Sequence, residues 1–199
     1  MNTIHHGFWT YFIFRKKRQL VKWFVIGSIA PDIIYFVMFL YLGVQKEILT
    51  LSLLLDLFKM PMFGFPSDSS NMALTQLHDF ILEMFQHPIV EILRFTGHSL
   101  FVWTVLSGLV YWRMGFKLSP LKAFLLGWSG HILTDLLTHA TDATPILYPL
   151  SDLIIRGPIS YWNPDYYGKE FNIVNNILLV LATVYLIIRF LQRVTNRGK

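Results

Sequence analysis

The chain of 199 residues is 54% hydrophobic and only 15% charged, with a mean hydropathy of +0.47. A soluble domain of this length cannot easily bury so much apolar surface, so a membrane is the first explanation. The net charge of +5 does not indicate nucleic acid, because the basic residues cluster at the ends of apolar runs without a recognisable binding motif. The absence of cysteine excludes disulfides, thiolate metal sites and a thiol nucleophile.

Apolar runs along the chain predict an all-α, membrane-embedded bundle of about seven or eight helices, in a single domain over residues 1–199. Several runs are shorter than the roughly 20 residues that a helix needs to cross a bilayer alone. In chain order the runs are Ile4–Phe14, Leu20–Ala30, Ile33–Leu42, Ile48–Phe58, Met72–Phe85, Ser99–Met114, Leu121–Thr138 and Asn172–Leu191.

Two long stretches are predicted to be irregular. Lys59–Asn71 is rich in proline, glycine and serine, which is typical of a loop. Ala143–Phe171 carries four prolines as well as glycine and asparagine turn signals, so we expect an ordered segment that is not one helix. Both stretches are candidate gates for a buried site, the second over Pro145–Gly168.

Basic segments at Arg15–Arg18, 113–122 and Arg189–Lys199 favour a multi-pass protein with these three segments on the cytoplasmic side. At a rise of about 1.5 Å per residue, the polar groups on four helical legs then lie roughly 15–22 Å from the basic ends. We therefore expect one polar cluster at a common depth, away from the cytoplasmic side. Its members are His5 or His6, Asp32, His98, His131 and Asp135.

The segment GHILTDLLTHATD carries ionisable groups in an otherwise apolar run. At about 100° per residue, His131, Asp135, His139 and Asp142 share one helix face. A histidine and an aspartate at positions i and i+4 can bind one ion from that face. A solvent-facing amphipathic helix is the alternative, but ionisable groups within a chain this apolar favour a functional site. We predict all four as metal ligands.

Three other motifs supply candidate partners. Asp32, in GSIAPDI, follows a proline at a helix break and is predicted to be a ligand, the N-cap of the next helix, or both. His98, in TGHSL, is a candidate ligand beside Ser99, which can cap the following helix. Of the adjacent histidines near the N-terminus, His6 is the preferred ligand and His5 the alternative.

The ligand set indicates zinc chemistry. Zn²⁺ accepts mixed histidine and carboxylate ligands and lowers the pKa of a bound water to about 7. The candidates outnumber the three protein ligands of one catalytic zinc, so we predict one to three ions. Asp32, Asp142 and Ser99 are the candidate catalytic residues, Ser99 as a member of a Ser/His pair.

The motifs occur in the order MNT..H, GSIAPDI, GHS, GWSGHILTDLLTHATDATPILYPLSD and GPISYWNPDYYG, from His6 to about Gly168. This order resembles the zinc-dependent phospholipase C-like group of membrane-associated, metal-dependent hydrolases, and most closely its bacterial inner-membrane members. The resemblance implies that YPLSD and ISYWNP fold over the site. It implies metal-ligand roles for His6, Asp32, His98, His131, Asp135 and His139, a ligand or orienting role for Asp142, and substrate-facing or supporting roles for Asp152, Ser160 and Asp165.

We therefore expect a zinc-dependent hydrolase of the inner membrane that cleaves a phosphoester, or another ester, through metal-activated water. Its expected partners are the lipid bilayer and a lipid or other amphipathic substrate, with no nucleic acid. A non-enzymatic metal-binding or metal-translocating membrane protein is the alternative. The nearly apolar runs Phe101–Val110 and Leu178–Ile188 count against a metal conduit. A structural membrane protein whose site has decayed is a third interpretation.

Overall fold

A computed structural model describes residues 1–48, 50 and 72–196, and within these ranges the chain is helical without a named β-strand. This confirms the predicted all-α class. The helices are α1 (Thr3–Phe14), α2 (Val21–Ile29), α3 (Ile33–Gln45), α4 (Met72–Gln86), α5 (Pro88–Gly97), α6 (Leu100–Met114), α7 (Pro120–Thr138) and α8 (Gly168–Thr195), with 3-10 turns at Ala30–Asp32 and Pro164–Tyr166.

Most predicted runs coincide with a helix to within a few residues. The structure differs from the prediction at two helices. Helix α5 was not predicted, because Glu91 and Arg94 interrupt its short apolar pattern. Helix α8 begins at Gly168, before the predicted run. Except for Ile48 and Thr50, the predicted helix Ile48–Phe58 and the loop Lys59–Asn71 lie outside the described residues.

Two described segments, Val21–Gln45 and α8, are long and apolar enough to cross a membrane. Val21–Gln45 joins α2 and α3 through the 3-10 turn that contains Pro31 and Asp32. A third span results if α5 and α6, which are bent by 56° relative to each other, count as one. These lengths and compositions fit a membrane protein.

Helices α2 and α7 pack backbone against backbone at two reciprocal glycines. A Cβ atom on Gly27 would lie 2.0 Å from the Phe124 carbonyl oxygen, and one on Gly127 would lie 2.0 Å from the Phe24 carbonyl oxygen. Any larger side chain at either position would force the two helices apart. Close backbone approach is therefore what these glycines provide.

The corner between α6 and α7 is fixed by a buried lysine. The Lys122 ammonium group donates hydrogen bonds to the carbonyl oxygens of Met114 and Lys117, at 3.1 and 2.8 Å, and also to that of Gly115. A cation at this position satisfies carbonyls that the end of α6 leaves free, and it is favoured by the helix dipole. The angle between α6 and α7 is thereby fixed.

Replacing Gly127 with alanine should lower the stability of the protein by about 1–3 kcal/mol or more, because the added methyl group meets backbone that cannot move aside. Gly130→Ala is the matched control on the same helix, since its added Cβ meets nothing within 4 Å. This control should be neutral or stabilising by up to about 1 kcal/mol. Thermal unfolding in detergent measures both changes, and equal melting temperatures would contradict the packing described.

Candidate metal centre

Polar side chains from separate parts of the chain converge at one buried point. Asp32 lies where Pro31 ends the regular turn of α2, and His98 follows the last turn of α5. His131 and Asp135 lie one turn apart on α7. Ligand atoms of Asp32, His98, His131 and Asp135 all lie within 4.8 Å of one another, and these residues are at most 8% exposed.

The spacing within this four-residue group suits a tetrahedral ion. His131 Nε2 lies 3.0 Å from His98 Nε2, 3.0 Å from Asp135 Oδ2 and 3.5 Å from Asp32 Oδ1. His98 Nε2 lies 3.4 Å from each of the same two carboxylate oxygens. Ligand atoms about 2.0–2.2 Å from a tetrahedral zinc would lie about 3.3–3.6 Å apart. The group can therefore hold a metal ion with little rearrangement.

The tautomers of His98 and His131 also fit a bound metal ion. His131 Nδ1 lies 2.7 Å from the Ser28 carbonyl oxygen, and His98 Nδ1 lies 2.8 Å from the Arg94 carbonyl oxygen. Because a carbonyl oxygen only accepts, each Nδ1 carries a hydrogen, and each neutral ring presents a lone pair at Nε2. Two such lone pairs and two carboxylates then face one point. A divalent cation satisfies all four acceptors together.

The carboxylate of Asp32 takes part in this group and does not cap α3. Although Asp32 occupies the N-cap position of α3, its side chain accepts no capping hydrogen bond from that helix. Its Oδ2 atom instead accepts a 2.6 Å hydrogen bond from the Thr3 hydroxyl, which leaves Oδ1 facing His98 and His131. Of the two alternatives for Asp32, the structure favours the position of a ligand.

A second set of polar groups surrounds the other oxygen of Asp135. Oδ1 lies 2.9 Å from His6 Nε2 and 3.2 Å from His139 Nε2. The α-amino group of Met1 lies 2.6 Å from the same oxygen. His6 also stacks on His131, with ring centroids 3.9 Å apart. Asp135 therefore connects the four-residue group to His6 and His139.

Of the two adjacent histidines, His6 is the one at the site. The His6 ring is buried, whereas His5 turns toward α8, where its Nδ1 lies 3.1 Å from the Asn175 amide nitrogen. The α8 side is also fixed by Trp9, whose indole donates a 2.9 Å hydrogen bond to the Asn175 oxygen. The preference for His6 over His5 agrees with this arrangement.

The helical projection of the sequence fails at the end of α7. The helix ends at Thr138, and His139 has φ −116° and ψ 83°, so Asp142 does not continue the helix face. Asp142 nevertheless lies beside His139, with Oδ2 3.0 Å from Nδ1. This contact directs His139 Nε2 toward Asp135. This contact fits an orienting group, which is one of the two roles that the resemblance implied for Asp142, and its role as a ligand stays a prediction.

The surroundings of His139 and Asp142 shift their pKa values in opposite directions. Burial lowers the pKa of His139, but hydrogen bonds to Asp135 and Asp142 outweigh burial and raise the pKa above its usual value. Burial raises the pKa of Asp142, but the hydrogen bond to His139 and the charges of His139 and Arg94 together outweigh burial, so the pKa is lowered. Burial and the charge of Asp142 raise the pKa of Tyr161, whose ring lies 5.0 Å from that of His139.

The segment after α7 folds back over the cluster. The amides of Gly157 and Tyr161 donate hydrogen bonds to the carbonyls of His139 and Thr138, at 3.1 and 3.0 Å. Together with α3, α4 and α5 it encloses a cavity of about 130 Å³ beside the metal ligands. Its lining includes Tyr35, Phe85, Arg94, Ile146, Ile155 and Tyr161.

Four other predicted residues have local contacts or lie on the surface. The Ser99 hydroxyl caps α6 by accepting from the Val102 amide and donates to the Tyr148 carbonyl at 2.6 Å. Ser160 is buried in a turn, where its hydroxyl accepts from the Asn163 amide. Its role and the catalytic role of Ser99 stay predictions, as do those of the exposed Asp152 and Asp165.

Sequence reasoning missed Arg94, Tyr35 and Tyr161. Arg94 lies one helical turn before His98, so recognising α5 would have placed both on one face. Tyr35 had no such signal, because it lies in an apolar helix, and Tyr161 was covered only by the expectation that ISYWNP folds over the site. Comparisons with protein-family models, with curated proteins and with solved structures found no match.

Asp135→Asn should weaken metal binding, because this carboxylate contacts both parts of the cluster. We expect the affinity for Zn²⁺ to fall by at least about 10- to 100-fold, the loss typical of groups that only orient ligands. Asp152→Asn removes an exposed carboxylate outside the cluster and should leave binding unchanged. Elemental analysis after dialysis against limiting zinc measures both, and equal zinc contents would contradict the proposed centre.

Proposed function

We propose that this protein is a zinc-dependent hydrolase of the bacterial inner membrane that cleaves a phosphoester, or less favourably another ester, in an amphipathic substrate. The buried convergence of Asp32, His98, His131 and Asp135 carries this proposal. Further support comes from the order of sequence motifs, which resembles that of membrane-associated phospholipase C-like hydrolases.

Asp32, His98, His131 and Asp135 would hold one zinc ion. His6 and His139, whose Nε2 atoms lie 2.9 and 3.2 Å from the other oxygen of Asp135, would hold a second zinc ion in place of the α-amino group of Met1. Bound zinc supplies Lewis acidity, which lowers the pKa of a water molecule to about 7 and stabilises developing negative charge.

The protein's own groups would position the reactants and move the proton. Ser28 and Arg94 fix the ring orientation of His131 and His98 through their carbonyl oxygens. Asp142 Oδ1 is buried without a hydrogen-bond partner, while Oδ2 contacts His139. A buried carboxylate oxygen that lacks a donor is a suitable acceptor for the proton of an attacking water. Asp142 is therefore the proposed general base.

The surroundings of the cavity support an amphipathic substrate. Its polar ligands lie next to Ile146 and Ile155, and the neighbouring helices present large exposed apolar side chains. A lipid could place its head group among the ligands while its chains remain in the bilayer. Cleavage on the glycerol side of a phosphodiester would match the activity that the resemblance implies.

Hydrolysis of short-chain phospholipids by zinc-loaded, detergent-purified protein tests the proposal, with release of the phosphorylated head group as the readout. His131→Ala should lower the rate by at least about 100-fold, as expected when transition-state charge loses its stabilisation. His5→Ala should change it little, because His5 contacts Asn175 and not the cluster.

Each other outcome supports a different interpretation. Zinc bound by the wild type without hydrolysis of phosphodiesters, phosphomonoesters or carboxylic esters would refute the hydrolase and favour a non-enzymatic metal-binding or metal-translocating protein. A folded wild type that binds no more zinc than His131→Ala would indicate a decayed site.

We also propose that the site lies away from the cytoplasm, because the basic residues of the helix ends are retained on the cytoplasmic side. Single cysteines at Thr141 and Lys169 should then react with a membrane-impermeant maleimide in intact spheroplasts. A cysteine at Lys117, between α6 and α7, should react only after lysis. The chain has no native cysteine, so the background is low. The reverse labelling pattern would refute this topology.

A further inference from the structure

Arg94 is a charged residue on the wall of the cavity. It is half-buried on α5, within the α5–α6 pair that together can form a membrane span. One guanidinium nitrogen donates a 2.6 Å hydrogen bond to the Asp142 carbonyl oxygen, and the group lies 5.5 Å from the centre of the Phe85 ring. Among the described residues, no carboxylate forms an ion pair with Arg94.

The charges around the cavity make this arginine significant. The two zinc ions of the proposed function would bring four positive charges beside the carboxylates of Asp32, Asp135 and Asp142, so the charge of Arg94 adds to a positive excess. An ionisable side chain within an apolar segment is costly and marks a functional site by default. Arg94 is placed to stabilise a negative charge that a ligand brings.

The N–H donors of Arg94 and the volume of the cavity indicate which anion could bind there. A guanidinium group has five N–H donors in a planar fork, and the Asp142 carbonyl uses one. The remaining fork matches two oxygens of a phosphate. A cavity of about 130 Å³ is several times larger than the roughly 30 Å³ that one water molecule occupies in the liquid, so it has room for a phosphate group.

We propose that Arg94 and the adjacent metal ligands form a phosphoryl-binding subsite, in which Arg94 selects substrates that carry an anionic phosphate group. This inference rests on the proposed function and narrows it from esters in general to phosphoesters. Arg94 contacts the phosphoryl oxygens opposite the metal ligands, while Tyr35 and Tyr161 line the same cavity.

A purely structural role is the competing explanation, because the Arg94–Asp142 hydrogen bond also joins α5 to the segment after α7. In that case the loss of Arg94 would disturb His139 and Asp142 and lower metal binding. A phosphate-binding role leaves the zinc content unchanged and changes only the affinity for the anion. Measuring both quantities on the same samples separates the two roles.

The test uses zinc-loaded full-length protein in detergent, titrated with inorganic phosphate by calorimetry, with zinc measured beside each titration. Arg94→Gln should weaken phosphate binding by about 10- to 100-fold, the loss of a charge-assisted contact, with unchanged zinc. Arg94→Lys retains the charge without the fork and should fall between. Arg113→Gln, which removes an exposed arginine far along the chain on α6, should bind as the wild type does.

Competition identifies the source of the phosphate. Displacement by short-chain phosphatidic acid, but not by the matching diacylglycerol, would assign the subsite to a lipid head group. Failure of both lipids to displace phosphate would assign it to a soluble phosphate compound. The phosphate affinity should depend on Arg94 in either case.

The inference would be overturned, while the hydrolase stands, by a phosphate affinity that is equal in wild type and Arg94→Gln or by a parallel loss of zinc in Arg94→Gln. A wild type that hydrolyses carboxylic esters but binds no phosphate would do the same. A wild type that binds no zinc would refute the hydrolase and, with it, the subsite.

Discussion

The close contact between α2 and α7 determines where the candidate centre lies. Gly27 and Gly127 let the two backbones touch, and Ser28 follows Gly27 while His131 lies one turn beyond Gly127. The carbonyl of Ser28 is therefore within 2.7 Å of His131 Nδ1, which fixes the ring orientation and directs Nε2 at the other ligands. A helix contact and a ligand orientation thus depend on the same two small residues.

The cluster also constrains the folded state electrostatically. Burial of a carboxylate or imidazole among other acceptors is unfavourable unless a cation compensates the lost hydration. Asp32, Asp135 and the lone pairs of His98 and His131 are all buried at one point. A metal that binds only this arrangement stabilises the fold by its binding free energy. Folding and metal binding are therefore coupled in this proposal, since the ligands come from three separated segments.

The sequence was sufficient to predict the convergence but not the whole cavity. Helical rise from the basic ends predicted a common depth for five positions, because each lies on a regular leg whose length is fixed by geometry. These are His5 or His6, Asp32, His98, His131 and Asp135. The 139–167 segment lacks such periodicity, so neither the end of α7 at Thr138 nor the position of Tyr161 followed from the pattern. Arg94 was missed for a different reason: its charge interrupted the apolar pattern of α5 and concealed the helix that positions it.

Both breaks in the apolar helices occur at a residue of the candidate metal centre, Asp32 in one case and His98 in the other. The 3-10 turn at Ala30–Asp32 and the bend between Gly97 and Ser99 interrupt segments that otherwise have the composition of membrane spans. Irregular backbone at membrane depth is tolerated only where protein or a polar cavity satisfies its free groups. Here the Gly97 carbonyl accepts a 2.6 Å hydrogen bond from the Trp128 indole, and the Arg94 carbonyl accepts from His98. The break therefore costs few hydrogen bonds, and it turns His98 inward while leaving Arg94 one helical turn away on the cavity wall. A continuous α5–α6 helix would keep the backbone bonds but would lose the geometry that brings an imidazole and a guanidinium group to the same cavity.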